Sequence, residues 1–317
     1  MKDLQLINAT SIEDAASILR SSNGKAKLMA GGTDLLGGLK RGIHPNAPEV
    51  VINIQTIPDM EYIKEEDGAL KIGAQTRLRD IAENEVVKTR YTALAEAARK
   101  TASPTLRRMG TIGGNICQET RCWYYRAKDN YFDCKMKDGK ECFAATGDNR
   151  FHSIFGGVKG CMAVNPSDTA PALVALDAKV VTSKRVIDAE KFWAAHEYGL
   201  TALEEDEIVV EIRIPAPAAG TKSAFIKYAT RGSIDFPIVN CAVMVSPENT
   251  RICLNAVAPN PYRAVLAEEV VKGKVIDEAL AEAAGEAAVS KSKPLAKNKF
   301  KVQIAKTLVK RALLACQ

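Results

Sequence analysis

The sequence predicts an α+β chain of two or three lobes, and three observations lead there. Its 317 residues exceed the usual size of one domain, so more than one hydrophobic core is expected. A strand, a glycine turn and a helix-like run follow one another at Lys27–Leu36, and a second glycine turn comes about eighty residues later. A linker, Pro215-Ala216-Pro217-Ala218-Ala219-Gly220, then separates this part from three strand-like segments followed by three helical ones.

Composition narrows the class further. Hydrophobic residues make up 46% and charged residues 26%, close to the globular average, which argues against disorder. The longest apolar runs, such as Ile238–Val245, are strand-sized and too short to cross a bilayer. Met1-Lys2-Asp3-Leu4-Gln5-Leu6 lacks the apolar core of a signal peptide, so a cytoplasmic location is expected. In that compartment the eight cysteines read as thiols or metal ligands and not as disulfides. The net charge of +6 concentrates between Ser290 and Arg311, where Lys291, Lys293, Lys297, Lys299, Lys301, Lys306, Lys310 and Arg311 stand without an acidic residue. A solvated helix face accounts for this run, and a docking surface for an acidic partner is the sharper alternative.

In chain order, Ser11 caps a first helix over residues 10–23, with Ile12, Ala15, Ala16 and Leu19 at helical spacing and Asn23-Gly24 ending it. The strand Lys27-Leu28-Met29-Ala30 runs into Gly31-Gly32-Thr33-Asp34-Leu35-Leu36, where backbone N–H groups at a helix start favour an anion. A tight structural turn explains a Gly-Gly pair equally well. Val50–Asn53 is a buried strand, and Tyr62–Ile72 reads as a hairpin turning at Asp67-Gly68. Helices are expected over Thr76–Val87 and Tyr91–Ala102, the second stopped by Ser103-Pro104. Beyond the cysteine-rich part, Ile208–Ile214 is a strand. Strands Ala224–Thr230, Ile238–Ser246 and Ile252–Ala256 follow, then helices from about Arg263, Asp277 and Asn298.

The second turn, Gly110-Thr111-Ile112-Gly113-Gly114-Asn115, changes the weight of the first. Two glycine turns, each beside a threonine, suit the two sides of a pyrophosphate, with the Thr33 and Thr111 hydroxyls and the Asn115 amide as added hydrogen-bonding groups. Neither turn fits G-x-G-x-x-G, and no lysine with serine or threonine follows the glycines, so neither a Rossmann domain nor a P-loop is indicated.

Between the second turn and Pro166-Ser167-Asp168 lie Cys117, Cys122, Cys134, Cys142 and Cys161, with gaps of eleven, seven and eighteen residues between the last four. No C-x-x-C occurs. The surrounding segment is aromatic, charged and without steady period, and a loop of that length normally needs an internal tether. Four thiolates on one metal centre supply such a tether, and their spacing satisfies zinc and an iron–sulfur cluster alike. Cys117, beside the turn, reads as a packed thiol with a ligand role left open. Cys241, Cys253 and Cys316 read as core residues, and His152 as a structural or surface residue and not as a ligand.

Three motifs, Ala30-Gly31-Gly32-Thr33-Asp34-Leu35, Gly110–Ile116 and Pro166-Ser167-Asp168-Thr169-Ala170-Pro171-Ala172-Leu173, resemble in order and spacing the FAD-binding medium subunit of the molybdenum hydroxylases, the xanthine dehydrogenase family. The segment Thr120-Arg121-Cys122-Trp123-Tyr124-Tyr125 is similar to a narrower branch, the flavin subunits of 4-hydroxybenzoyl-CoA reductase and bacterial aldehyde oxidoreductases, which carry an additional 4Fe–4S cluster. The resemblance implies a two-lobed FAD-binding domain of the PCMH (vanillyl-alcohol oxidase-like) type, with subdomains 1–56 and 57–215 and a cluster-binding insertion at 117–162. A CO dehydrogenase flavoprotein C-terminal-like α+β domain at 221–317 would follow.

The resemblance also assigns residues. Ala30, Gly31, Gly32, Thr33, Asp34 and Leu35, with Thr111, Gly113, Gly114 and Asn115, match the positions that wrap the FAD pyrophosphate. Ser103 and Arg107, before the second turn, are weaker candidates. Asp168 matches an acidic residue near the adenosine ribose, and capping the helix Thr169–Leu176 is its plain alternative. Phe225–Phe236 matches the stretch near the isoalloxazine ring, where Lys227 would stabilise negative charge at N1–C2=O. An exposed strand lysine is the plain alternative there, and Arg231 and Asp235 are expected to pair with each other. Cys122, Cys134, Cys142 and Cys161 match the ligands of the 4Fe–4S cluster.

These assignments make the chain an electron-transfer subunit. The three histidines, His44, His152 and His196, are dispersed, and no serine or cysteine is flanked by a credible base, so no catalytic residue is expected on this chain. The expected partners are a molybdenum-cofactor large subunit, a 2Fe–2S small subunit and an external carrier such as ferredoxin, in a dimer of heterotrimers. Nucleic acid and membrane are not expected partners. Two readings stand against this one: a zinc-stabilised scaffold without FAD, and a self-contained flavin oxidoreductase.

Overall fold

The computed structural model describes residues 3–193 and 201–317 and has mixed α/β content arranged around three sheets. The first is parallel, with β1 (Gln5–Asn8), β2 (Ala26–Met29) and β3 (Val50–Asn53) in the order β1-β3-β2. The helix Ile12–Ser21 crosses between β1 and β2, and Ser11 caps it by accepting the Asp14 N–H at 3.0 Å.

The second sheet is antiparallel, with β4 (Ile63–Glu66), β5 (Ala69–Gly73), β6 (Lys179–Thr182), β7 (Val186–Asp188) and β8 (Val209–Pro215) in the order β4-β5-β8-β6-β7. The hairpin of β4 and β5 turns at Asp67-Gly68, as the alternation and the turn residues predict. β6 and β7 are additions to the expected strands, and β8 lies at the centre of the sheet, between β5 and β6. Residues 76–87 do not form one helix. Asn84 breaks the run by accepting the Val87 N–H at 3.1 Å, so Leu78–Glu83 ends and Glu85–Arg90 begins there. Pro104 does more than stop the following helix, Thr92–Lys100. It opens a short helix of its own, Pro104–Arg107, where a residue lacking an N–H fits best.

The third sheet is antiparallel, with β9 (Lys222–Tyr228), β10 (Val239–Val245), β11 (Thr250–Asn255) and β12 (Tyr262–Arg263) in the order β12-β11-β10-β9. Helices Val265–Val271, Glu278–Val289 and Phe300–Leu314 cover one face. Its other face joins the core of the first two sheets through Phe225, Ala242 and Cys253. Thr92–Lys100, with Ala93, Leu94, Ala95, Ala97 and Ala98 buried, packs there against β9.

The cysteine-rich segment contains no named strand, and its only α-helix is Phe143–Thr146. It is not a free excursion, because the third sheet and the helices after it grip its far end. Ile154 N–H donates to the Val257 carbonyl at 2.8 Å, and Lys293 N–H donates to the Ile154 carbonyl at 2.6 Å. Asn298 Nδ2 donates to the His152 and Ser153 carbonyls. The basic run at 291–311 divides accordingly. Lys301 is buried, donating to the carbonyls of His152 and Ala256. Lys306 and Lys310 pair with Glu278, Glu282 and Glu286 of the neighbouring helix. His196 lies outside the described residues.

Candidate functional site: a cleft and a cysteine cavity behind it

A cleft of about 600 Å³ opens beside β2 and the glycine turn that follows it. Ala30, Gly31, Gly32, Thr33, Asp34 and Leu35 form one wall, Thr111, Gly114 and Asn115 a second, and Asp168 a third. Ile234, Asp235 and Phe236, from the loop between β9 and β10, stand over it. The structure thus brings the sequence-predicted residues of all three motifs to one place. Gly113 and Lys227 are outside the lining, as are the weaker candidates Ser103 and Arg107.

The first turn owes its path to its glycines. A Cβ on Gly31 would collide with the Met109 carbonyl just before the second turn, and Gly32 has φ +68°. The amides of Gly31, Gly32, Thr33, Asp34 and Leu35 donate to no group among the described residues, which leaves a row of N–H groups beside the cleft. The Asp34 carboxylate does not cap the helix Leu35–Arg41 that follows. Its Oδ1 lies 2.8 Å from both Arg121 Nη1 and Arg126 Nη2, and its Oδ2 accepts the Glu119 N–H at 3.0 Å.

The two turns offer the cleft different groups. In the second, the Ile112 N–H donates to Thr76 O (2.9 Å), the Gly113 N–H to Ala74 O (2.8 Å), the Gly114 N–H to Thr111 Oγ1 (3.1 Å) and the Asn115 N–H to Thr111 O (2.9 Å). These bonds close the short helix Ile112–Ile116 onto the second sheet and leave those amides unavailable. The turn offers the cleft a side chain instead. Asn115 Oδ1 accepts from Ser167 Oγ at 2.6 Å and Thr169 Oγ1 at 2.7 Å, so its Nδ2 is the end left without a partner among the described residues.

Asp168 does not cap the helix Thr169–Ala175; Ser167 does that by accepting the Ala170 N–H. The Asp168 carboxylate is buried between Lys227 Nζ at 2.7 Å and Asn240 Nδ2 at 2.8 Å. Burial pushes its carboxyl above the usual range, against the pull of Lys227. Lys227 also donates to the Lys100 carbonyl at 3.0 Å, so it is neither an exposed strand lysine nor a wall of the cleft. Asn240 was missed from sequence, although a polar residue inside the apolar run Val239–Val245 is the kind of signal that marks a buried hydrogen bond. Arg231 and Asp235 pair with each other, as expected, Nε to Oδ1 at 3.0 Å. Arg121 stacks over Phe236, 4.4 Å from the ring centroid, and burial lowers its guanidinium to about 10.

Cys122, Cys134, Cys142 and Cys161 line a second, small cavity of about 10 Å³, walled by Tyr124, Tyr125, Met136 and Phe143. Cys117 is not among them; it lines the cleft, and burial pushes its thiol up to about 12. Burial also raises Cys122 to about 11 and raises Cys134. The Cys161 thiol donates towards Cys142, which holds Cys142 below and Cys161 above the ordinary thiol range. Among the described residues no three His, Cys, Asp or Glu side chains converge closely enough to hold one metal ion. The donor set is one that suits soft metal chemistry: four sulfurs around one cavity, with no carboxylate in its lining. Tyr125 and Met136 line both the cleft and this cavity, so the two are one side chain apart.

Residues 2–217 match the family described as the FAD binding domain in molybdopterin dehydrogenase, and residues 224–316 match the CO dehydrogenase flavoprotein C-terminal domain. The aldehyde oxidoreductase FAD-binding subunit of Escherichia coli is 33% identical over 294 residues, covering 89% of this chain and 88% of that protein. The carbon monoxide dehydrogenase medium chain of Hydrogenophaga pseudoflava is 30% identical over 319 residues, covering 96% and 94%. A solved structure of carbon monoxide dehydrogenase from Hydrogenophaga pseudoflava aligns with a TM-score of 0.78 at 30% identity, over 99% of this chain and 97% of that one. Among the described residues no helix is long and apolar enough to cross a membrane.

Proposed function

The chain belongs to the FAD-binding subunits of the molybdenum hydroxylases, and from that premise we propose that it relays electrons between FAD in the cleft and a 4Fe–4S cluster on Cys122, Cys134, Cys142 and Cys161. The observation that carries the proposal is the shared wall, Tyr125 and Met136, between the cleft and the cysteine cavity. FAD exchanges one or two electrons and a 4Fe–4S cluster one at a time, so together they link single-electron carriers to two-electron chemistry.

The residues divide the work. The N–H row from Gly31 to Leu35 binds the pyrophosphate, with the Thr33 and Thr111 hydroxyls and Asn115 Nδ2 completing the set. Asp168 accepts from the ribose hydroxyls, and Lys227 acts through Asp168, holding its charge and direction from behind. Arg121 and Arg126 neutralise Asp34, which would otherwise repel the phosphates. Gly113 contributes by letting the second turn lie against Ala74. For the cluster, what supports the reading is that four thiols and no carboxylate line one cavity, a donor set that suits iron–sulfur chemistry.

We assign one lobe to each sheet, 1–56, 57–215 and 221–317, with 117–162 inserted in the second. The oxidoreductase complex then includes a molybdenum-cofactor large subunit, where the organic substrate binds, and a 2Fe–2S small subunit. An external one-electron carrier such as ferredoxin exchanges with the cluster.

Anaerobic purification of the full chain tests the reading through its visible spectrum and its iron, sulfide and zinc content. A flavin band with equal, stoichiometric iron and sulfide is expected, and Cys122→Ser should lose the iron while keeping flavin. Zinc in place of iron would sink the relay, and unchanged iron in the variant would remove Cys122 from the ligand set.

A further inference from the structure

Among the described residues, one ring nitrogen lies against a sulfur of the cysteine cavity: His152 Nε2 is 3.2 Å from Cys122 Sγ. His152 is 2% exposed, with its ring beside those of Trp123 and Tyr124 at centroid distances of 6.1 and 6.2 Å. Its position is fixed through its backbone. The N–H donates to the Asn149 carbonyl at 3.0 Å, and the carbonyl accepts from Asn298 Nδ2 at 3.1 Å and Lys301 Nζ at 2.9 Å, both from the C-terminal lobe. The imidazole is therefore delivered to Cys122 by a clamp that does not involve the sulfur itself.

The ring's other nitrogen settles which one carries the proton. Nδ1 is buried and has no partner among the described residues. A proton there would be a donor with nothing to receive it, whereas a bare acceptor nitrogen is the milder defect. The proton on Nε2 points at sulfur, and a thiolate ligand, which has no proton to give, can only accept it.

We propose that His152 is a positioning residue for the metal centre, donating Nε2–H to the Cys122 sulfur and raising the reduction potential of the iron that this sulfur holds. The inference rests on the cluster reading above. Hydrogen bonds to cluster sulfurs stabilise the more negative, reduced form, because the added electron density is shared with the ligating thiolates. Of the four cysteines, Cys122 follows Arg121 in sequence, and Arg121 lines the cleft, so the tuned sulfur is on the ligand nearest in the chain to the flavin site.

The test uses the full chain purified anaerobically, with His152→Phe to remove the donor while filling its space and His152→Gln to restore an N–H of similar reach. Flavin content reports the fold, iron and sulfide report cluster retention, and a redox titration followed by electron paramagnetic resonance reports the potential. The Phe variant is expected to keep iron and flavin and to shift downward by about 59 mV, a tenfold change in the one-electron equilibrium. The Gln variant should recover most of that shift. A Phe variant with full iron and the wild-type potential overturns the proposal. Loss of iron from both variants with flavin retained overturns it too, by making the ring a ligand or a support of the loop. A wild-type protein free of iron and sulfide removes the cluster reading and this inference together, a result unlike either of the others.

Discussion

At the scale of the residue, the least replaceable group in the cleft is Asp168, because two lobes depend on it. Its carboxylate is held between Lys227 and Asn240, contributed by β9 and β10, while its backbone belongs to the second lobe. Breaking a buried pair by removing one partner leaves a charge without compensation and costs about 3–5 kcal/mol, whereas removing both costs less than the sum. Asp168→Asn and Lys227→Met should each lower unfolding free energy by about that amount, with the double variant sub-additive in denaturant titrations. Strict additivity would mean that the two side chains do not interact in solution. Gly31→Ala tests the other wall: its Cβ would push against the Met109 carbonyl, so bound flavin per chain should fall before overall stability does. This division of labour was only partly legible in sequence. The glycine turns and Asp168 stand in recognisable motifs, but the pairing of Asp168 with residues 59 and 72 positions away is set by strand packing, which no local pattern encodes.

At the scale of the element, the aperiodic insertion and the C-terminal helices form one unit through Lys301. Burial pulls its ammonium from 10.5 down to about 7. A lysine depressed in the folded state costs stability while it is protonated. As pH rises from about 7 towards 10.5, the unfolded chain keeps this proton and the folded chain does not, so stability rises. Against Lys301→Met, the wild type should therefore gain ground between pH 7 and 9, by at most about 1.4 kcal/mol per pH unit. Parallel stability curves would show that Lys301 stays charged when folded. Elements with a strong period or a defined turn were readable in advance, among them the 63–73 hairpin and the strands 222–255. The four-residue β6 and three-residue β7 were not, because two or three alternations do not distinguish a short strand from a loop. The gaps between the cysteines left a ligand role for Cys117 open, whereas the structure puts Cys117 in the cleft and the other four around one cavity.

At the scale of the whole molecule, three sheets make one cleft, and each contributes something the others lack. The parallel sheet ends in free amides, the five-stranded sheet anchors a turn whose own amides are used internally, and the third sheet supplies Lys227, Asn240 and the loop that carries Phe236. Tyr125 and Met136 stand between this cleft and the cysteine cavity, and a partition with two faces obeys a thermodynamic rule. Whatever reshapes it from one side alters the free energy of filling the other, and the effect is reciprocal. Flavin should accordingly dissociate with a different constant from iron-loaded chain and from the iron-free Cys122→Ser chain, by roughly 5-fold or more for a coupling of about 1 kcal/mol. Where flavin binds the iron-loaded chain more tightly, the flavin-free protein should by the same reciprocity retain less iron at equilibrium against a chelator. Equal flavin affinities in the two forms would make the partition rigid. A favourable coupling would make FAD and the proposed cluster inspectors of each other's installation, with a half-assembled subunit holding either one less tightly.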